Sequence, residues 1–146
     1  MTTPTARLVE RITRRLSGAI LRYPKPIIVS ALLFATFTVA EAVRLAPGGS
    51  SWLVLVVATC TSGTLTSTKY DGAATGFLSG YGGALVGYPL YALAQSGGNS
   101  AWGLAGWLIV PVLSFLFTLW LGFLPGAAGA LCGLLGGWVR SIFRPG

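Results

Sequence analysis

GFLSGYGGALVG, residues 76–87, returns at residues 122–133 as GFLPGAAGALCG, and the two copies agree at eight of twelve positions without a gap. Glycine costs about 1 kcal/mol against alanine inside a helix in water. A doubled glycine pattern therefore needs a physical reason. At 3.6 residues per turn, Gly72, Gly76 and Gly80 fall in one row that Ala84 continues, and Gly129, Gly133 and Gly137 form a matching row. Gly83, Gly87 and Gly126 complete the shared spacing. A row without side chains lets a second helix backbone approach closely. In lipid, where burial of apolar surface drives nothing, such contact and weak Cα–H···O bonds hold helices together. The pattern predicts helix-packing surfaces of the glycine-zipper kind, facing either this chain or another copy.

Composition points to the same solvent. Apolar residues make up 53% of the 146, charged residues 9%, and the mean hydropathy is +0.74. A water-soluble domain carries roughly 25% charged residues, so this chain reads as an integral membrane protein. Its net charge of +7 comes from ten Lys and Arg against three acids. Nucleic acid is not the expected partner, because the basic residues flank an almost uncharged middle rather than forming a patch within it.

Residues 1–25 form the first unit. Over 4–22, PTARLVERITRRLSGAILR, Leu8, Val9, Ile12, Leu16, Ala19 and Ile20 gather on one side of a helix. Arg7, Glu10, Arg11, Arg14, Arg15 and Arg22 gather on the other. A basic face opposite an apolar one suits a helix lying among anionic headgroups, with Arg7, Arg11, Arg14, Arg15, Arg22 and Lys25 as the headgroup contacts. The alternative is an arm packed on a partner or on the chain's own spans.

Residues 26–146 form the second unit, expected to be an all-α polytopic transmembrane bundle. Apolar runs occupy 27–45, 52–67, 72–93, 102–123 and 125–143, with polar turns at 46–51, 69–71 and 95–100. No polar break separates the last two runs. A single helix over 102–143 would be about 63 Å long against a hydrocarbon core of about 30 Å. The chain is therefore expected to turn back at Gly122 and Pro125, giving five spans, with four as the alternative. Each glycine motif follows a Trp-led apolar run, so a duplicated helix pair is expected over about 50–94 and 100–143. The basic N-terminus should be cytoplasmic. Five spans would place Arg140 and Arg144 outside, against that rule; four would bring both termini inside. Glu41 and Arg44, three residues apart, are expected to pair at a span end.

KYDGAATGFLSGYGGALVGYPLYAL, with the later GAAGALCGLLGGWV, resembles a group of small glycine-rich archaeal membrane proteins of unknown function. They share a D-G-x-x-x-G-x-x-x-G pattern, carried here by Asp71, Gly72, Gly76 and Gly80. The resemblance covers the latter half of the chain and implies a membrane fold but no catalytic or binding residues. The basic N-terminal helix departs from that group's pattern.

Chemistry is sparse. With no histidine, and no HExxH, GxSxG, P-loop or aspartyl pair, neither catalysis, a metal nor a cofactor is expected. The expected role is non-enzymatic: an interaction or assembly component, self-associating or held in a membrane complex. The alternative is a small channel, holin-like pore former or transporter lined by Thr59, Thr61, Ser62, Thr64 and Thr66.

Overall fold

The computed structural model describes residues 4–96 and 103–143. The described residues form six helices and no strand: α1 (Pro4–Arg22), α2 (Pro24–Ala42), α3 (Ser50–Thr64), α4 (Lys69–Ser96), α5 (Gly103–Leu121) and α6 (Phe123–Phe143). The all-α expectation holds. Two of the helices, α2 and α6, are long and apolar enough to cross a membrane by length and hydropathy. The 28-residue α4 has the length but is diluted by glycine, whereas the 15-residue α3 is only about 22 Å long.

Local chemistry sets the ends. Proline at the first helical position of α2 needs no partner for the N–H it lacks, so YPKP opens a new helix rather than closing the chain. The α2–α3 turn uses left-handed backbone at Arg44 (φ 59°) and Gly49 (φ 86°). Across that turn Glu41 does not pair with Arg44. Its carboxylate accepts hydrogen bonds from the Ser51 N–H and the Ser50 hydroxyl (3.0 Å), closing the exposed donors at the start of α3.

Inter-helix contacts fix the directions. Ser30 donates to the Ala58 carbonyl (3.4 Å), and Phe34 meets Trp52 edge-on at 6.3 Å, so α2 and α3 are antiparallel. Ser79 meets Ile27, Gly83 meets Ala31 and Gly87 meets Ala35, so α4 runs parallel to α2. Gly72 lies on Gly133, Gly76 on Gly129 and Gly80 on Pro125, which makes α6 antiparallel to α4.

Here the structure departs from expectation. Tyr81 donates to the Leu119 carbonyl (3.3 Å), and Pro89 and Pro111 line the α4–α5 seam together, so α5 is also antiparallel to α4. Helices α5 and α6 thus run in the same direction, and the chain does not turn back between Gly122 and Pro125. Helical i to i−4 bonds carry across the break: the Gly122 N–H donates to Thr118 (2.8 Å) and the Gly126 N–H to Gly122 (3.1 Å). Pro125 falls in the first turn of α6, where its missing N–H leaves no bond unmade, so the Gly–Pro pair interrupts the rod without reversing it. The two motif-bearing segments consequently do not fold as equivalent helix pairs: α3 and α4 are antiparallel, α5 and α6 are not. The connection at 97–102 lies outside the described residues.

The sorting of side chains is inverted relative to a water-soluble domain. The interior is built of Gly, Ala, Ser and Thr around Phe34 and Leu55, while Trp120 (87%), Leu108 (73%) and Phe117 (67%) stand outside. Soluble proteins do not expose contiguous apolar surface on this scale.

Candidate functional site

Two places gather the residues singled out by sequence. The first is the seam where α6 lies against α4 and α3. A Cβ added at Gly76 would fall on the Gly129 carbonyl oxygen, and one at Gly129 on the Gly76 carbonyl oxygen. Gly72 and Gly133 stand in the same reciprocal relation, and Gly80 meets the Pro125 carbonyl. At these positions backbone touches backbone with no room for a methyl group.

The remaining row positions divide by partner. A Cβ added at Gly83 would come within 2.8 Å of the Phe34 ring and 2.9 Å of the Ala31 carbonyl oxygen, and one at Gly87 within 3.1 Å of the Ala35 Cα, so both serve the α2–α4 contact. An added Cβ would lie 2.9 Å from the Phe77 ring at Gly126 and 2.7 Å from the Lys69 Cα at Gly137. A Cβ added at Gly82, in the same glycine-rich stretch, would meet nothing within 4 Å. Two glycines outside the rows complete the seam: Gly63 lies on the Gly133 carbonyl, and Gly136 on the Cys60 carbonyl. Gly63 belongs to no four-residue row, so sequence spacing gave no sign of it.

The hydroxyl-rich end of α3 is part of this interior. Thr59, Ser62 and Thr66 are buried and donate to the carbonyls of Leu55 (2.6 Å), Thr59 (3.0 Å) and Gly63 (2.7 Å). The exposed Thr61 donates to Val57 (2.7 Å), and Thr64 donates to Thr61 (2.7 Å). All five return their protons to nearby backbone, the arrangement that lets hydroxyls sit in an apolar setting. Thr75 differs: among the described residues its hydroxyl is a fully buried side-chain oxygen without a partner.

The second place is one end of the bundle. The Tyr23 hydroxyl donates to Ser67 Oγ and accepts from the Ser67 N–H, both at 2.9 Å, joining the α1–α2 junction to the α3–α4 turn. Arg15 stacks over the Tyr70 ring at 4.7 Å. From the far terminus, Arg140 donates to the carbonyls of Thr64 (3.4 Å) and Thr66, satisfying acceptors that the end of α3 leaves open. Arg15, Arg22, Lys25, Lys69 and Arg140 therefore share one end, and Arg44 lies at the other; Arg144 is outside the described residues.

Helix α1 extends from this basic end. Arg7, Arg11 and Arg14 are exposed, with Arg14 held to Glu10 at 2.8 Å. Ala19 is buried, but Leu8, Val9, Ile12 and Ile20 on the apolar side are each half or more exposed. Apart from Ala19, that face is largely uncovered among the described residues. The sequence matches no protein-family profile and no curated protein, and the structure matches no solved structure.

Proposed function

We propose that this is a multi-pass membrane protein of four crossings, α2, α3, α4 and the bent α5–α6 rod, with both termini in the cytoplasm. It acts without chemistry of its own, as an interaction or assembly component of the membrane. The observation that carries the reading is the inverted sorting: a glycine-packed interior inside a largely apolar exterior. The shared basic end supports the orientation, since Lys and Arg favour the cytoplasmic side. Four crossings remove the conflict that five create at Arg140. Because the glycine rows are occupied within the chain, association with another copy or with a partner falls to the outward apolar faces and to α1, which lies along the anionic leaflet. A channel or transporter has less in its favour, because the hydroxyls of α3 are engaged and glycine backbone fills the neighbouring interior.

The test is a set of single cysteines at Thr5, Gly48 and Ser141 in a Cys60→Ser/Cys132→Ser background, labelled in intact vesicles by a maleimide that cannot cross the bilayer. Thr5 and Ser141 should label from one side and Gly48 from the other. Labelling of Thr5 and Ser141 from opposite sides would restore an odd number of crossings and overturn the topology. The assembly role is tested by the mass of the native particle in mild detergent: a lone chain without partners would remove it, and ion flux through reconstituted vesicles would favour the pore.

A further inference from the structure

Helices α2 and α3 do not close against each other along their outer side. Between them lies a groove of about 490 Å³, running from Pro26 and Leu65 at the basic end to Phe37 and Leu53. Residue size explains it. The seam is made where Ser30 meets Ala58, both small, while Val29, Leu33 and Val57 stand up on either side as walls. The hydroxyls in the lining have no free proton to donate to a ligand. Ser30 donates to Ala58 (3.4 Å), Thr61 to Val57 (2.7 Å) and Ser62 to Thr59 (3.0 Å), each ending on a backbone carbonyl. The groove therefore takes an apolar occupant.

Its length and its mouth narrow the choice further. From Pro26 to Phe37 the helix rises about 16 Å, close to half of the roughly 30 Å hydrocarbon core, which is the depth of one leaflet. At the mouth Lys25 directly precedes Pro26, and Arg22 ends α1 just before the Tyr23 junction; both are exposed, and neither pairs with a carboxylate among the described residues. A leaflet-deep apolar slot with two free cations at its headgroup end is complementary to one class of molecule. We infer that the α2–α3 groove holds an acyl chain of an anionic phospholipid of the cytoplasmic leaflet, its headgroup on Lys25 and Arg22. This rests on the membrane reading proposed above, and it assigns Arg22 and Lys25 a role distinct from the diffuse attraction of the other α1 arginines.

The experiment is native mass spectrometry of the full detergent-purified chain mixed with equal amounts of dioleoyl phosphatidylglycerol and dioleoyl phosphatidylcholine. A lysine or arginine near an anionic surface is worth about five-fold in affinity. Retention of phosphatidylglycerol over phosphatidylcholine is therefore expected at roughly twenty-five-fold for two cations. The double variant Arg22→Gln/Lys25→Gln should bring that ratio close to one, whereas Arg7→Gln/Arg11→Gln should leave it unchanged. Ala58→Leu, at a half-buried position on the groove floor, should reduce retention of both lipids. Equal retention of the two lipids by the unaltered chain would overturn the site. So would full retention in Ala58→Leu, or an equal loss of selectivity from Arg7→Gln/Arg11→Gln. A chain that crosses the membrane as proposed yet shows no selectivity loses only this site, while one that fails to insert loses the membrane reading itself.

Discussion

Gly76 and Gly129 lie in reciprocal contact: the α-carbon of each sits against the carbonyl oxygen of the other, across the α4–α6 seam. Neither helix can move toward the other, and neither can accept a methyl group without moving away. Over-packing a filled interior costs about 1–3 kcal/mol. Gly76→Ala and Gly129→Ala are each expected to destabilise the chain by at least that much, read as a lower melting temperature in detergent. Gly82→Ala is the matched control, since nothing lies within 4 Å of its added carbon. It should be neutral or stabilising by up to about 1 kcal/mol through helix propensity. Equal losses at Gly76 and Gly82 would show that the seam is not the origin of the effect.

Cys60 and Cys132 bring the α3–α6 contact to a chemical test. Gly133, next to Cys132, lies on Gly63, and Gly136 lies on the Cys60 carbonyl, so Cys60 and Cys132 both sit at the α3–α6 contact. Both are free. Mild oxidation with copper phenanthroline is expected to join them within one chain, seen as a mass loss of two hydrogens and one cross-linked peptide pair. Disulfides exclusively between chains would mean that α6 packs on another copy.

Arg140 ties the last helix to the end of α3 through the Thr64 and Thr66 carbonyls. Hydrogen bonds from a charged donor contribute about 1.5–3 kcal/mol. Arg140→Met, which keeps the length and apolar stem, is expected to lower stability by about that range. Arg140→Lys should recover part of the loss, because an ammonium donates to carbonyls but lacks the planar fork. A stability unchanged in Arg140→Met would show that the guanidinium bonds are exchanged for water without cost.

Thr75 offers the opposite sign. Its buried hydroxyl lacks a partner, a state that costs about 1–3 kcal/mol. Thr75→Val has nearly the same shape and no polar atom, so it should raise stability by about 1 kcal/mol in the same melting assay. A loss in Thr75→Val would show that the hydroxyl is engaged in the folded protein.

Much of this architecture is readable before any coordinates, and the parts that are not share a cause. The Pro4–Arg22 helix shows because its basic and apolar residues separate at helical spacing. The glycine rows of α4 and α6 show because a four-residue interval marks one helix face. The identity of the surface opposite a row does not show, because spacing along one helix carries no information about its neighbour. Gly63 stands alone in TCTSGTL and acquires meaning only against Gly133. The reversal expected at Gly122–Pro125 came from comparing the length of an apolar stretch with the thickness of a bilayer. That comparison presumes each crossing is a straight perpendicular rod. Arg140 shows the limit of the charge rule in another way: that it shares the end of the bundle holding Arg15 and Lys69 shows only in the direction of α6, which runs parallel to α3.

The inverted sorting has a consequence for how such a chain can drift over evolutionary time. Apart from Phe34, Leu55 and Pro125 the inside is built of the four or so smallest residue types, and the outside accepts almost any large aliphatic or aromatic one. Substitutions are therefore confined to exchanges within two narrow alphabets. Descendants would keep the pattern of missing bulk while losing the letters that sequence comparison weighs most heavily, so kinship would be written in volume rather than in identity.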